Sequence, residues 1–238
     1  MGNKKKICLL VFCLLCITIN AQSNDKKRVV ELFDKAQNVF ESNSYYLESE
    51  FKLFVNYTSN EIKEDYKGIT VKKGDNTYTR IGNSEIISTN NLYIKIDNDN
   101  KRMKIANLTK DNVQKAPLEL NSYINYFSGY RVTESNGFWI CTLTTSKVTM
   151  IPYSKVVVYI NKKDYQISKQ EMFFLTKYKT KIVNGKPKFD YPRLQITYSN
   201  FKKSGFATSD YFTVDNYVKK TNQKYYPIKK YKSYTIVD

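Results

Sequence analysis

Few side chains in this 238-residue sequence could carry out acid–base or nucleophilic chemistry. Histidine is absent from it, which excludes Ser–His and Cys–His catalysis, histidine general bases and histidine-ligated zinc. Carboxylate pairs and Ser–Lys arrangements are what an enzyme could still use. Glu48 and Glu50 form the closest carboxylate pair within a predicted strand, but they alternate with apolar residues, as on a solvated strand face. No glycine-rich phosphate loop is present. The sequence therefore predicts a non-enzyme without a cofactor or a metal.

Residues 1–21 have the three-part layout of a secretory signal peptide. Three lysines at positions 4–6 precede an apolar run over residues 7–19, and the small residue Ala21 follows. Those 13 apolar residues are too few to cross a bilayer comfortably, since a crossing takes about 20. We expect cleavage after Ala21 and export to the periplasm, with an uncleaved membrane anchor as the alternative.

Cleavage at that point leaves Cys141 as the single cysteine, so the exported chain cannot form an internal disulfide. Its residues 22–238 are numerous enough to build a hydrophobic core as one domain, and we expect a single domain and a monomer. Cys141 lies within residues 138–143, an apolar run typical of a buried strand. We therefore expect a packed, unreactive thiol.

The chain is strongly basic, with a formal net charge of +17. Loss of the three signal-peptide lysines leaves +14 on the exported protein, and lysines occur in nearly every segment. Such a surface favours anionic partners, which outside the cytoplasm are phospholipid or glycolipid surfaces and not nucleic acid. The alternative is that the lysines serve only to keep the protein soluble.

The order of predicted elements indicates a mainly β protein with two helices. Apolar residues recur at helical spacing from Val29 to Phe40, after a capping Asn24-Asp25. From Tyr45 to Tyr57 the period changes to two, which predicts an unusually long strand of about 13 residues. Short strands with turn residues between them follow as an antiparallel meander. Pro117 begins a second predicted helix, which continues to Phe127. Further strands are predicted over residues 137–144, 156–161, 166–178, 194–201 and 229–237.

This order of elements resembles the LolA-type family of periplasmic lipoprotein carriers. The segments that carry the resemblance are Gly68-Ile69-Thr70-Val71-Lys72-Lys73, the hairpin of residues 86–97, Ile151-Pro152, residues 156–161 and residues 191–201. In the family an arginine follows the valine–lysine pair and helps to hold a helical lid closed. Lys73 stands at that step here, and Gly74 replaces the proline that usually follows. The C-terminal segment from Phe212 onward is also longer than in the simplest carriers.

The resemblance implies a half-open antiparallel β-barrel, a strongly curved sheet whose mouth is covered by the N-terminal and central helices. It also implies a carrier or chaperone that holds the acyl chains of lipoproteins or lipids in an apolar cavity and ferries them toward the outer membrane. Lys73 is the candidate for holding the lid. The cavity candidates are Phe51, Leu53, Val55, Ile69, Val71, Leu92, Ile94 and Ile96, and for each of them the alternative is an ordinary core residue.

Three functions stay open from the sequence. The first is the carrier, whose partner is a lipidated protein or a lipid. The second is a non-catalytic envelope binding module or sensor on the same fold, which recognises a lipidated or protein partner. The third is an enzyme, against which the missing histidines weigh.

Overall fold

A computed structural model describes residues 24–89, 91–108, 124–146 and 149–237. The predicted signal peptide and most of the second predicted helix, up to residue 123, lie outside these residues. The fold is mainly β, as the sequence predicts. The described residues contain the strands β1 Ser44–Phe54, β2 Ile62–Lys73, β3 Asn76–Ile81, β4 Ser84–Ser88, β5 Leu92–Asp97, β6 Arg102–Asn107, β7 Gly129–Ser135, β8 Phe138–Thr144, β9 Tyr153–Asn161, β10 Ile167–Phe174, β11 Tyr178–Val183, β12 Lys186–Asp190, β13 Arg193–Lys202, β14 Val218–Thr221, β15 Lys224–Pro227 and β16 Thr235–Val237.

The predicted first helix is confirmed, because residues 24–40 are helical (α1). Its apolar residues recur at three- and four-residue intervals, and five of them are buried: Val29, Leu32, Phe33, Ala36 and Phe40. A second helix, α2, covers only Ser209–Phe212, and 3-10 turns cover Val214–Asn216 and Lys229–Tyr231. No helix in the described part of the chain is long and apolar enough to cross a membrane.

The chain divides into two compact units. Of the described residues, the first unit contains 24–39, 55–60, 124–146 and 149–194, and the second contains 40–54, 61–89, 91–108 and 195–237. In the first unit, strands β7 to β10 pair as an antiparallel sheet, while β11 and β12 form a separate hairpin. In the second unit the strand order is β16-β6-β5-β4-β3-β2-β1-β13, and β14 pairs with β15 as a second hairpin.

Strands β1 to β6 pair antiparallel in sequence, and short turns connect β2 to β6, as the predicted meander requires. Strand β16 instead pairs parallel with β6. The closure of a half-open barrel and the helical cover of its mouth stay predictions.

Three of the predicted strands differ in extent. The first ends at Phe54, where a bulge shifts the register between Leu53 and Phe54 and interrupts the alternation. Residues 166–178 contain β10, which ends at Phe174, and β11 starts only at Tyr178. The tail from Lys229 begins as a 3-10 turn with Lys229 at a φ of 52°, so only Thr235–Val237 is strand. Aromatic periodicity alone did not reveal this turn.

Candidate ligand-binding face

The sheet of the second unit has two distinct faces, which the strand register defines. Residues that stand directly opposite each other in neighbouring antiparallel strands project from the same face. Tyr46 stands opposite Val71, Val71 opposite Tyr78 and Tyr78 opposite Ile87. The row continues from Ile87 to Ile94 and Ile105. We call the face that carries this row the covered face.

The covered face is packed against the C-terminal segment, residues 206–236. Its fully buried residues form one cluster with aromatic side chains of that segment, and Tyr231 lies at its centre with no exposed surface. The ring of Tyr231 stacks on Tyr217 at 5.7 Å and meets the edge of Tyr234 at 5.2 Å. The buried members are Val71, Tyr78, Ile87, Leu92, Ile94, Ile96, Met103, Tyr217, Val218 and Tyr231.

Five of the eight predicted cavity residues belong to this packed face. Val71, Leu92, Ile94 and Ile96 are buried cluster members, and Ile69 packs against them. Phe51 and Leu53 project from the opposite face, because they stand opposite Tyr66 and Glu64 in β2 and alternate with Tyr46 and its neighbours. The register therefore divides the predicted cavity residues between opposite faces of the sheet, and which of them contact a ligand stays a prediction.

The second face of the sheet carries Phe51 and Leu53 together with side chains from β2 to β5. Thr70 stands opposite Leu47, Thr79 opposite Thr70 and Ile86 opposite Thr79. Tyr45 and Leu47 are buried at one end, where Tyr45 contacts Phe40 and Phe201 at ring distances of 6.0 and 5.8 Å. The half-buried apolar residues of this face are Phe51, Leu53, Ile86 and Tyr93.

Gly68 leaves room for the side chains of Phe51 and Ser49 on this second face. A Cβ atom at Gly68 would come within 3.0 Å of Phe51 Cε2 and within 2.6 Å of Ser49 Oγ. Both distances are shorter than packed carbon atoms tolerate. The glycine in β2, which the sequence analysis used only as part of a motif, thus fixes the position of a candidate ligand contact.

A buried hydroxyl without a hydrogen-bond partner lies on the same face. Ser88 stands opposite Thr77 on one side and Tyr93 on the other, and its side chain is buried. Within the described part of the chain, Ser88 Oγ has no hydrogen-bond partner. An unsatisfied buried hydroxyl costs free energy, so a polar atom supplied by a ligand would find a donor here. Sequence reasoning missed Ser88, because nothing distinguishes it from other strand serines.

Val55 and Lys73, the remaining predicted site residues, lie elsewhere. Val55 is buried but follows the β1 bulge and belongs to the first unit. Lys73 is exposed at the end of β2, and its Nζ donates a hydrogen bond to Thr208 Oγ1 at 3.3 Å. This contact joins Lys73 to the residues just before α2, and its lid-holding role stays a prediction.

Glu85, a buried acid on the covered face, accepts hydrogen bonds from several side chains. Its carboxylate accepts hydrogen bonds from Tyr78 Oη at 2.9 Å, Asn98 Nδ2 at 3.0 Å and Tyr231 Oη at 3.1 Å, and Lys230 Nζ lies 3.6 Å away. Burial acts to raise the pKa of Glu85, but the hydrogen bonds from Asn98 and Tyr78 and the charge of Lys230 outweigh it and hold that pKa below its usual value. This carboxylate ties the C-terminal segment to the sheet.

Glu48 and Glu50, the carboxylate pair of the sequence analysis, form ordinary hydrogen bonds and ion pairs with neighbouring side chains. Glu48 accepts hydrogen bonds from Tyr46 Oη at 2.9 Å and Asn200 Nδ2 at 3.0 Å, and Glu50 forms an ion pair with Lys52 at 2.7 Å. The hydrogen bonds from Asn200 and Tyr46 lower the pKa of Glu48, so it stays ionised. The described residues contain no group of acids and cysteine that could hold a metal ion.

Cys141 is fully buried in β8 of the first unit, as predicted. Burial raises the pKa of its thiol to about 12, so the reactive thiolate is scarce at neutral pH. Helix α1 lies close to this part of the sheet, since the Arg28 guanidinium lies 4.7 Å from the ring centre of Trp139 in the same strand. The thiol is structural.

Comparison with known proteins places this fold among solved structures. No family model and no curated protein matches the chain. A LolA superfamily protein from Nitrosomonas europaea is similar at 13% identity, over 77% of this chain and 96% of that one, with a TM-score of 0.33. This similarity is one of fold. This agrees with the resemblance that the sequence predicts.

Two further structures are similar over comparable lengths. An uncharacterized conserved protein from Thermus thermophilus has 9% identity, covers 77% of this chain and 92% of its own, and gives a TM-score of 0.44. The Mycobacterium tuberculosis lipoprotein LppX has 7% identity, covers 76% of this chain and 98% of its own, and gives a TM-score of 0.36. At such identities these similarities concern the fold alone.

Proposed function

We propose that the protein binds the acyl chains of a lipidated protein or lipid on the second face of its second unit and carries them through the periplasm toward the outer membrane. The observation that carries the proposal is that Phe51, Leu53, Ile86 and Tyr93 are apolar yet only half-buried on that face. The opposite face of the same sheet is closed by the C-terminal segment. An apolar ligand therefore has one face of this sheet on which to bind.

Acyl binding of this kind needs no chemistry beyond burial. Each methylene moved from water to an apolar surface contributes about 0.8 kcal/mol, so a lipidated client is insoluble until its chains are covered. Half-buried aliphatic and aromatic side chains can supply that cover and still release the chain, because none of them is locked in a tight core. Ser88 Oγ could donate a hydrogen bond to the ester or amide at the polar end of the ligand.

The two faces of the sheet allow a paired test of this proposal. Leu53→Phe enlarges a half-buried residue on the second face, and Ile94→Phe enlarges a buried residue on the covered face. We expect Leu53→Phe to weaken binding of a fluorescent fatty-acyl probe by about fivefold or more, with little change in melting temperature, because the added ring occupies ligand space. Ile94→Phe should instead destabilise the fold by about 1–3 kcal/mol by overpacking and leave probe affinity within about twofold.

Probe titrations measure the affinity, and thermal melts measure the stability, of both variants and the parent. A parent that binds no acyl probe, or a Leu53→Phe protein that binds it as well as the parent, contradicts the carrier proposal. The envelope binding module, which recognises a protein partner on the same fold, would then be the better account.

A further inference from the structure

The β11–β12 hairpin of the first unit is exposed on both of its faces. Among the strands that the structure describes, β11 and β12 pair only with each other, and every residue from Lys181 to Phe189 is exposed. Large apolar side chains are among them, with Ile182 63% and Phe189 53% exposed. Exposed apolar groups of this size on a projecting element mark an interaction surface.

The hairpin is held in place at its base and turns tightly at its tip. Asp190 accepts a hydrogen bond from Asn56 Nδ2 at 3.4 Å, and the ring of Tyr178 meets the edge of Phe174 at 5.5 Å. At the tip, Asn184 and Gly185 both have positive φ angles, of 50° and 73°, as a two-residue hairpin turn requires. The apolar side chains are therefore displayed on an ordered element.

The register gives the hairpin one mainly apolar face, on which Lys179 also stands opposite Phe189, and one mainly basic face, on which Val183 also lies. Ile182 stands opposite Pro187, and Phe189 follows two residues later, so these three share one face. On the other face Lys181 stands opposite Lys188, and Val183 stands opposite Lys186. The hairpin is therefore amphipathic, with exposed apolar side chains that a partner could bury and lysines close to them.

The charge of the hairpin is almost entirely positive. Between residues 177 and 191 the chain has five lysines and a single acid, Asp190, which lies at the base and not at the tip. Lysines beside apolar groups can place their stems along an apolar surface while the ammonium groups reach anionic headgroups. An acyl cargo does not need these cations, so they indicate a different partner.

We propose that the β11–β12 hairpin docks the protein on the surface of an anionic phospholipid bilayer. Ile182, Pro187 and Phe189 insert at the level of the headgroups, and the lysines pair with lipid phosphates. Apolar burial and electrostatic attraction act together in such interfacial binding, and neither suffices alone. The inference does not rest on acyl binding at the second face, because it concerns another unit of the chain and another contact.

Vesicle sedimentation tests the proposal with the purified full chain. The probe is a vesicle of phosphatidylcholine with about a quarter of phosphatidylglycerol, compared with pure phosphatidylcholine, at about 0.1 M salt. We expect binding to the anionic vesicle only. The double variant Ile182→Ser, Phe189→Ser and the triple variant Lys179→Gln, Lys186→Gln, Lys188→Gln should each weaken this binding by about tenfold or more.

Matched controls separate the hairpin from general basicity. The triple variant Lys219→Gln, Lys220→Gln, Lys224→Gln removes the same charge from the exposed β14–β15 hairpin, and Ile62→Ser removes an exposed isoleucine from β2. Both should bind the anionic vesicle within about twofold of the parent. Thermal melts confirm that all variants are folded.

Three outcomes would overturn the proposal. Equal losses from the two lysine triples would mean that net charge alone attracts the vesicle. Unchanged binding in the Ile182 and Phe189 double variant would mean that no apolar insertion occurs. A chain that binds no vesicle but sediments as a dimer, and loses the dimer in the double variant, would assign the hairpin to a second copy of the chain.

Discussion

Glu85→Ala is expected to lower the free energy of unfolding by about 3–5 kcal/mol. The substitution removes a buried carboxylate and leaves the phenol groups of Tyr78 and Tyr231 without their common acceptor. Hydrogen bonds to a charged acceptor are worth about 1.5–3 kcal/mol each, and the donors that lose it stay buried. Urea unfolding followed by circular dichroism measures the loss.

Glu64→Ala is the matched control for this prediction. Glu64 also accepts a hydrogen bond from a tyrosine, Tyr66, but the carboxylate is at the surface. Exposed pairs of this kind contribute about 0–1 kcal/mol, so the control should remain close to the parent. Equal losses at Glu85 and Glu64 would contradict the assignment of Glu85 as the link between the sheet and the C-terminal segment.

The depressed pKa of Glu85 adds a pH dependence with a definite sign. Because the folded-state pKa lies below the unfolded-state value, the carboxylate stabilises the fold fully above the unfolded pKa of about 4.3. That contribution is lost as the pH falls through the folded pKa. Glu85→Gln does not titrate, so the stability difference between parent and variant should shrink below about pH 4 and stay constant above about pH 6.

Tyr231→Ala is expected to destabilise the protein by about 3–5 kcal/mol, the usual cost of deleting a large buried aromatic ring. Tyr231 is fully buried, packs against Tyr217 and Tyr234, and donates its hydroxyl to Glu85. Tyr231→Phe keeps the ring and should cost only about 1–3 kcal/mol. Thermal and chemical unfolding of both variants separates the ring from the hydroxyl.

Tyr226→Ala provides the comparison from the same segment. Tyr226 is exposed in β15, so its removal should change stability by no more than about 0.5 kcal/mol. Combining Tyr231→Phe with Glu85→Gln should show non-additivity, because both substitutions break the same hydrogen bond. Additive effects, or a Tyr231→Ala protein as stable as the parent, would mean that the C-terminal segment is not part of the core.

Local sequence pattern predicted the elements well where one face of an element is clearly apolar. The helical spacing from Val29 to Phe40 gave α1, and alternation with turn residues gave the strands from Tyr66 to Ala106 in the correct order. The sequence also indicated a buried Cys141. These features depend on periodicity within a single element, which a sequence displays directly.

Sequence pattern could not place neighbouring strands in register, so it could not show that the predicted cavity residues lie on two faces of the sheet. In β1 the odd-numbered residues include Leu47, Phe51 and Leu53, but the residues opposite Ile69 and Val71 are the even-numbered Glu48 and Tyr46. The predicted cavity set took apolar residues from β1 and β2 together, and it therefore mixed residues of the covered face with residues of the second face. A shift of one residue exchanges the faces of a strand, and only the pairing partner fixes it.

Local sequence pattern also did not predict that the C-terminal segment packs on one face of the sheet. Residues 206–236 are rich in tyrosine and lysine, with short irregular elements, and nothing in that composition indicates where they pack. Their position depends on contacts far apart in sequence, such as Tyr231 with Glu85 and Tyr211 with Tyr78. Such tertiary contacts decide which face of the sheet stays available for a ligand.

The central claim, that the second face binds acyl chains, is tested most directly by what the protein carries in its own cell. The protein is purified from its native envelope without detergent, extracted with organic solvent and examined by mass spectrometry, beside Leu53→Phe as the variant of that face. The account predicts roughly one acyl-bearing molecule per parent chain, and much less on the variant. A parent free of acyl material that copurifies with a fixed protein partner would contradict it.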